Sequence, residues 1–218
     1  MAMQTVKDLI KRTFVYEVIK QIRQTGEVRR WIKNGKPVPP PHLVKQRTVK
    51  EYAKKFSIHI LIETGTLFGD MVYETRRIFD KIYSIELDNA LCKRAKKRFI
   101  KFPHISIIQG NSAEVLPRIL ADITQPCLFW LDAHYSGGIT AKGTLETPIM
   151  QELCYILNHS AAEHVILIDD AREFVGQKDY PTIAQVRHLI LEKHPNWVFE
   201  VKDDIIRIHK AGEHKEGY

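Results

Sequence analysis

Two short runs constrain this chain more than any other feature: Leu128-Phe-Trp-Leu131, which stops at Asp132, and Val165-Ile-Leu-Ile168, which stops at Asp169-Asp170. Runs this short with no polar alternation read as strands buried on both faces, the signature of a parallel sheet between helical layers. In such sheets ligands bind in the crevice beyond the carboxyl ends of the strands. If the two runs are neighbours, Asp132, Asp169, Asp170 and the imidazole of His134 converge at that edge. Three carboxylates beside an imidazole have the composition of a magnesium site with a general base.

The rest of the chain supplies the alternation that such a sheet needs. Strands are expected at Ile58–Ile62, Lys81–Ile85, Ile105–Ile108, Leu128–Leu131, Val165–Ile168, Trp197–Val201 and Ile205–Ile208. Helices are expected at Val44–Phe56, Met71–Phe79, Asn89–Ile100, Asn111–Leu120, from Pro148 onward, and Pro181–Glu192. Asn111 followed by Glu114 reads as a capping box. Strand–helix repetition implies right-handed crossovers and a doubly wound α/β sheet. The closing pair of strands around Asp203-Asp204 adds an antiparallel hairpin, which separates this pattern from a simple dinucleotide fold. The expected domains are a basic helical extension with a Pro-rich connector at 1–50, a catalytic domain at 51–210 and a flexible tail at 211–218.

Charge divides the chain along the same line. Residues 1–50 hold 12 Lys/Arg against 3 Asp/Glu, and the remainder holds 21 against 23. Val6, Leu9, Ile10, Phe14, Val18 and Ile22 follow helical spacing, with Gly26 expected to break the helix and Pro37–Pro41 forming a stiff connector. The simplest use of this basic segment is a solvated helix face. Residues 1–36 could also dock on an anionic membrane surface, on a partner, or on a second copy as a homodimer. No run of about 18 apolar residues is present, and Lys7, Asp8, Lys11 and Arg12 interrupt any signal-peptide core. The odd set of Cys92, Cys127 and Cys154, without zinc spacing, suits reduced thiols in the cytoplasm.

After the first strand comes Glu63-Thr64-Gly65-Thr66-Leu-Phe-Gly69. Its glycines let a ligand approach the backbone, but the spacing is neither a dinucleotide fingerprint nor a phosphate-binding loop. Glu63 would repel phosphate and can accept from an ammonium group. Glu86, at the end of the second strand, can accept from both hydroxyls of a ribose. A nucleoside cofactor without phosphate fits all three features.

At these residues the sequence resembles the class I S-adenosylmethionine-dependent methyltransferases, over roughly residues 50–209. Glu63-Thr64-Gly65-Thr66 resembles their first motif and Ile85-Glu86 their ribose motif, while Gly110-Asn111-Ser112 sits where the family contacts adenine. The first motif is poorer in glycine than usual. The nearest subgroup is the metal-dependent O-methyltransferases of small molecules, including sugar-modifying ones. That resemblance implies S-adenosylmethionine at Glu63, Thr64, Gly65, Thr66, Gly69, Glu86, Asn111, Ser112 and Asp132, and magnesium on Asp132, Asp169 and Asp170.

A divalent ion lowers the pKa of a bound hydroxyl, and His134 is placed to take its proton, with Lys142 as the alternative base. The 136–147 loop is long enough to be a lid, and Arg172, Asp179 and Tyr180 would shape the same pocket. Trp130 belongs to the core, and Tyr135 packs. The expected substrate is a hydroxylated small molecule. An RNA methyltransferase using the basic extension is the alternative. It is disfavoured because Asp132-Ala-His-Tyr lacks the Pro-Pro-aromatic element of amino-methylating enzymes, and no cysteine nucleophile follows the strand.

Overall fold

The short apolar runs form the middle of a seven-stranded sheet of order β3-β2-β1-β4-β5-β7-β6. Its strands are β1 (Ile60–Thr64), β2 (Lys81–Glu86), β3 (Ile105–Gln109), β4 (Leu128–Leu131), β5 (Val165–Ile168), β6 (Trp197–Lys202) and β7 (Ile205–Lys210). The computed structural model describes residues 14–132, 147–161 and 163–211, except the side chains of 14–18. Strands β1 to β5 pair in parallel, and β7 runs antiparallel between β5 and β6. The mainly parallel doubly wound sheet with a terminal hairpin is therefore present. Asp203 and Asp204 close that hairpin with φ of 52° and 61°, the left-handed pair that matches strand twist in a two-residue turn.

The described residues form seven helices, α1 (Phe14–Lys33), α2 (His42–Lys55), α3 (Asp70–Thr75), α4 (Asn89–Phe99), α5 (Ser112–Leu120), α6 (Ile149–Leu157) and α7 (Ile183–Lys193), of which α2 to α7 flank the sheet and α1 packs on α2. Successive residues of a strand face opposite layers. Phe129, Leu131, Ile166 and Ile168 pack with α5, α6 and α7, whereas Leu128, Trp130, Val165 and Leu167 pack with α2, α3 and α4. Every residue of β4 and β5 is buried. Each such side chain contributes about 1.5–3 kcal/mol, which is why no polar residue interrupts the runs. Trp130 is core, 2% exposed.

Several local expectations are corrected. Helix α1 passes straight through Gly26, an exposed position where the extra backbone entropy costs only about 1 kcal/mol. Strand β1 lies two residues later than the apolar pattern suggested, so Glu63 and Thr64 belong to the strand and not to the turn. Helix α3 ends at Thr75, where the Thr75 hydroxyl donates back to the Met71 carbonyl at 2.7 Å. Asn111 caps α5 through the Ala113 amide only, and the two-way capping box forms instead at Thr182 and Gln185. The boundary at residue 50 falls inside α2, whose Val49, Tyr52 and Ala53 are packed into the sheet core. No helix among the described residues is long and apolar enough to cross a membrane.

Candidate active site

The carboxyl ends of β1, β4 and β5 are level. Thr64 pairs with Leu131 and Leu131 with Ile168, so the residues that follow meet at one edge. The ladder continues one residue further, with the Asp132 amide donating to the Thr64 carbonyl and the Asp169 amide to Leu131, both at 3.0 Å. These bonds hold Asp132 and Asp169 side by side. Asp170 adopts left-handed backbone, φ 52°, a conformation Asp tolerates better than most residues. That turn brings the third carboxyl back, and carboxylate oxygens of Asp132, Asp169 and Asp170 lie within 4.8 Å of one another.

Two cations compensate this cluster. Lys45, buried on α2, donates from Nζ to Asp169 Oδ2 at 2.5 Å and to Asp170 Oδ1 at 3.1 Å. Arg172 donates to Asp170 Oδ1 at 2.8 Å and also to Asp204, in the hairpin turn. Burial and then the Asp132 carboxylate push the Asp169 carboxyl up to about 8, against the pull of Lys45. Burial lowers the Lys45 ammonium, but Asp169, Asp170 and Asp132 together raise it above its ordinary value. The short Nζ–Oδ2 contact is that of an ammonium on a carboxylate, so we take Asp169 as ionised while Lys45 is in place. The upward push then expresses a cluster still short of positive charge.

The residues expected to hold a cofactor lie at the neighbouring strand ends. Gly65, φ 90°, turns the chain so that its own amide and that of Thr66 both donate to the Ile85 carbonyl. Gly69, φ 73°, opens α3, and a Cβ there would stand 2.7 Å from the Phe99 ring. Glu86 bridges this turn to its own strand, accepting from Leu67 N at 2.7 Å and Asp88 N at 2.9 Å. Each oxygen keeps further acceptor capacity, so ribose hydroxyls can still bind. Burial raises the Glu86 carboxyl, and the Asp88 and Leu67 amides oppose the rise. Glu63 accepts from the Ser84 hydroxyl, which in turn lies 2.6 Å from the Thr66 hydroxyl. Burial raises Glu63 to about 8, with Ser84 opposing and Asp132, Glu86 and Asp70 adding to the rise. A buried acid ringed by other acids is suited to a cationic ligand group. Asn111 spends its side chain on the helix cap, and Ser112 is buried beside it.

Thr64 faces the opposite layer from Glu63, toward Glu152 of α6. Glu152 is 1% exposed, and its Oε1 and the Thr64 Oγ1 have no hydrogen-bond partner among the described residues. Burial raises Glu152 to about 7; the nearby Ser112 and Thr64 hydroxyls oppose the rise without satisfying Oε1. Glu152, Asp132, Asp169 and Tyr180 share a cleft walled by Leu131 and Phe174.

Sequence reasoning missed both Lys45 and Glu152, although each carries a signal. Glu152 interrupts the apolar stripe Ile149, Leu153 and Ile156, and Lys45 lies on the stripe continued by Val49 and Tyr52. A charged residue on the inward face of a helix marks a buried partner or site. Of the residues expected to shape the pocket, Tyr180 lines the cleft; Arg172 is exposed and reaches only the carboxylate cluster, through Asp170, and Asp179 is exposed with φ 65°. His134, Tyr135, Lys142 and the 136–146 part of the expected lid lie outside the described residues. Cys92, Cys127 and Cys154 are free thiols.

No family model matches the sequence, and no curated protein matches it. Solved structures do. The O-methyltransferase TomG from Streptomyces achromogenes, involved in tomaymycin synthesis and determined with S-adenosylmethionine, is 15% identical with a TM-score of 0.57, covering 86% of this chain and 89% of that one. An O-methyltransferase from Bacillus cereus in complex with S-adenosylhomocysteine is 15% identical with a TM-score of 0.58, covering 95% and 96%. The Podospora anserina methyltransferase PaMTH1, also bound to S-adenosylhomocysteine, is 17% identical with a TM-score of 0.53, covering 77% and 78%. At such identities the likeness is one of architecture, and the chain carries the Rossmann-like class I methyltransferase fold.

Proposed function

We propose that the protein is an S-adenosylmethionine-dependent O-methyltransferase acting on a hydroxyl of a small molecule such as a sugar or glycoside, with magnesium held by Asp132, Asp169 and Asp170. The observation that carries this reading is the three-carboxylate cluster, set at the ends of β4 and β5 beside the turn between β1 and α3. Hard oxygen ligands in that number suit magnesium, which needs few carboxylates and keeps waters. When bound, the sulfonium supplies the methyl group and the divalent ion supplies Lewis acidity to the acceptor oxygen.

The chain's own residues do the rest. Glu63 would accept from the cofactor's ammonium, and Glu86 from its ribose hydroxyls. Asp132, one residue past the β1–β4 ladder and tied to the Thr64 carbonyl by its amide, would stand between the cofactor turn and the acceptor cleft. Leu131 and Phe174 exclude water from the cleft, and Glu152 and Tyr180 offer polar contacts to a hydroxylated acceptor. His134, two residues beyond Asp132, takes the acceptor proton. The main gain is orientation of acceptor oxygen and methyl carbon in line.

The test is transfer of labelled methyl groups to a panel of polyhydroxylated acceptors, with an RNA pool as comparator. Asp169→Asn should lower transfer at least a hundredfold, while calorimetric affinity for S-adenosylhomocysteine stays within a few fold. Full activity after exhaustive chelation would remove the metal from the reading, and methylation confined to RNA would replace the substrate class.

A further inference from the structure

Lys45 belongs neither to the cofactor turn nor to the acceptor cleft, and it is the most deeply placed cation at the site. Its ammonium contacts two of the three carboxylates assigned above to the ion, at 2.5 Å and 3.1 Å, and it is 8% exposed. Helix stability does not explain this position. Lys45 sits in the first turn of α2, where Pro41 provides no side-chain cap and no acidic residue is present, and a cation at a helix N-terminus opposes the macrodipole. The aspartates are what hold it. A divalent ion on the same carboxylates would compete for the same lone pairs and would repel the ammonium at close range.

Resting on the metal reading of the cluster, we infer that Lys45 is a tethered cation occupying the divalent ion's place and setting the site's metal affinity. Metal loading therefore expels the Lys45 side chain from its buried position. The consequence reaches the N-terminal segment. Val44, the neighbouring residue, packs against Val28 and Trp31 of α1, so a displaced Lys45 disturbs the seam that holds α1 against α2.

Two measurements on the full-length protein test this. Calorimetric titration with Mn2+ should give a Kd at least tenfold lower for Lys45→Met than for wild type, a gain of about 1.4 kcal/mol, with Lys45→Arg remaining near wild type. Acylation of wild type by an amine reagent, read by peptide mass spectrometry, should show Lys45 protected without metal and labelled when Mn2+ is present. The second measurement needs no variant, so it decides the matter even if Lys45→Met fails to fold. Equal Kd values together with a Lys45 that stays protected in Mn2+ would overturn the inference and leave the metal site standing. Absence of Mn2+ binding in wild type and variant alike would overturn both.

Discussion

Replacing Glu152 with glutamine isolates the electrostatic cost that the pocket carries in its own walls. The carboxyl is fully buried and raised from 4.5 to about 7, chiefly by desolvation, and its Oε1 finds no partner among the described residues. The folded protein therefore keeps the Glu152 proton until about pH 7, whereas the unfolded chain releases it near 4.5. Rising pH through that window stabilises the unfolded state. At about 1.4 kcal/mol per pH unit, this group costs roughly 3 kcal/mol at pH 8 and under 1 kcal/mol at pH 5. Glutamine keeps the shape and cannot ionise. Urea unfolding of wild type and Glu152→Gln at pH 5 and pH 8 gives a double difference in which the other titrating groups cancel. The variant should gain about 2–3 kcal/mol, relative to wild type, on going from pH 5 to pH 8. An identical stability difference at the two pH values would refute the reasoning, because Glu152 would then be titrating as it does in water.

Three further outcomes follow from named contacts. His164 accepts from the Cys127 amide through Nδ1 and meets His159 through Nε2, and burial lowers it to about 4; the folded protein should lose about 3 kcal/mol as pH falls from 6.5 toward 4, and His164→Asn should flatten that acid limb in urea titrations. Gly69→Ala forces a side chain onto left-handed backbone 2.7 Å from the Phe99 ring, and should cost about 1–3 kcal/mol in thermal unfolding; a neutral result would mean the turn can relax. Glu86→Gln replaces a carboxylate that accepts from Leu67 N and Asp88 N. It should weaken calorimetric S-adenosylhomocysteine binding by about 1.5–3 kcal/mol, and unchanged affinity would remove Glu86 from the ribose contact.

The sheet was legible because β4 and β5 contain nothing but large apolar residues, which leaves no arrangement except burial on both faces. Their acidic ends were legible for the same reason, since the ladder of a parallel sheet carries Asp132 and Asp169 to one level. Boundaries were harder. Glu63 and Thr64 read as turn residues because they are polar, yet each finds a buried polar setting, Glu63 with Ser84 and Thr64 beside Glu152. Gly26 reads as a break because glycine weakens helices, but packing of Val28 and Trp31 on Val44 outweighs a cost of about 1 kcal/mol. Lys45 was counted among the charges of a basic surface. Only the docking of α2 on the sheet reveals that one of them reaches Asp169, more than a hundred residues away in sequence, and no local pattern encodes that distance.

The charges of the site share one logic. Glu63, Glu86, Asp169 and Glu152 are all raised, in each case first by burial, and for Glu63 and Asp169 the neighbouring carboxylate Asp132 adds to it. Folding has gathered acids where water is scarce and supplied Lys45 and Arg172 as partial compensation. Such a pocket resists phosphate and favours ligands that bring positive charge, as an ammonium, a sulfonium or a divalent ion does. On the proposed reading the turn at Gly65 needs no glycine density of a phosphate-binding loop, because the acids around it would repel a pyrophosphate. One lysine of the basic N-terminal segment, Lys45, also meets this cluster, which composition alone did not suggest. Residues 51–218 are acidic on balance, with 21 Lys/Arg against 23 Asp/Glu, and α2 brings the Lys45 ammonium to Asp169 and Asp170, where acids are gathered.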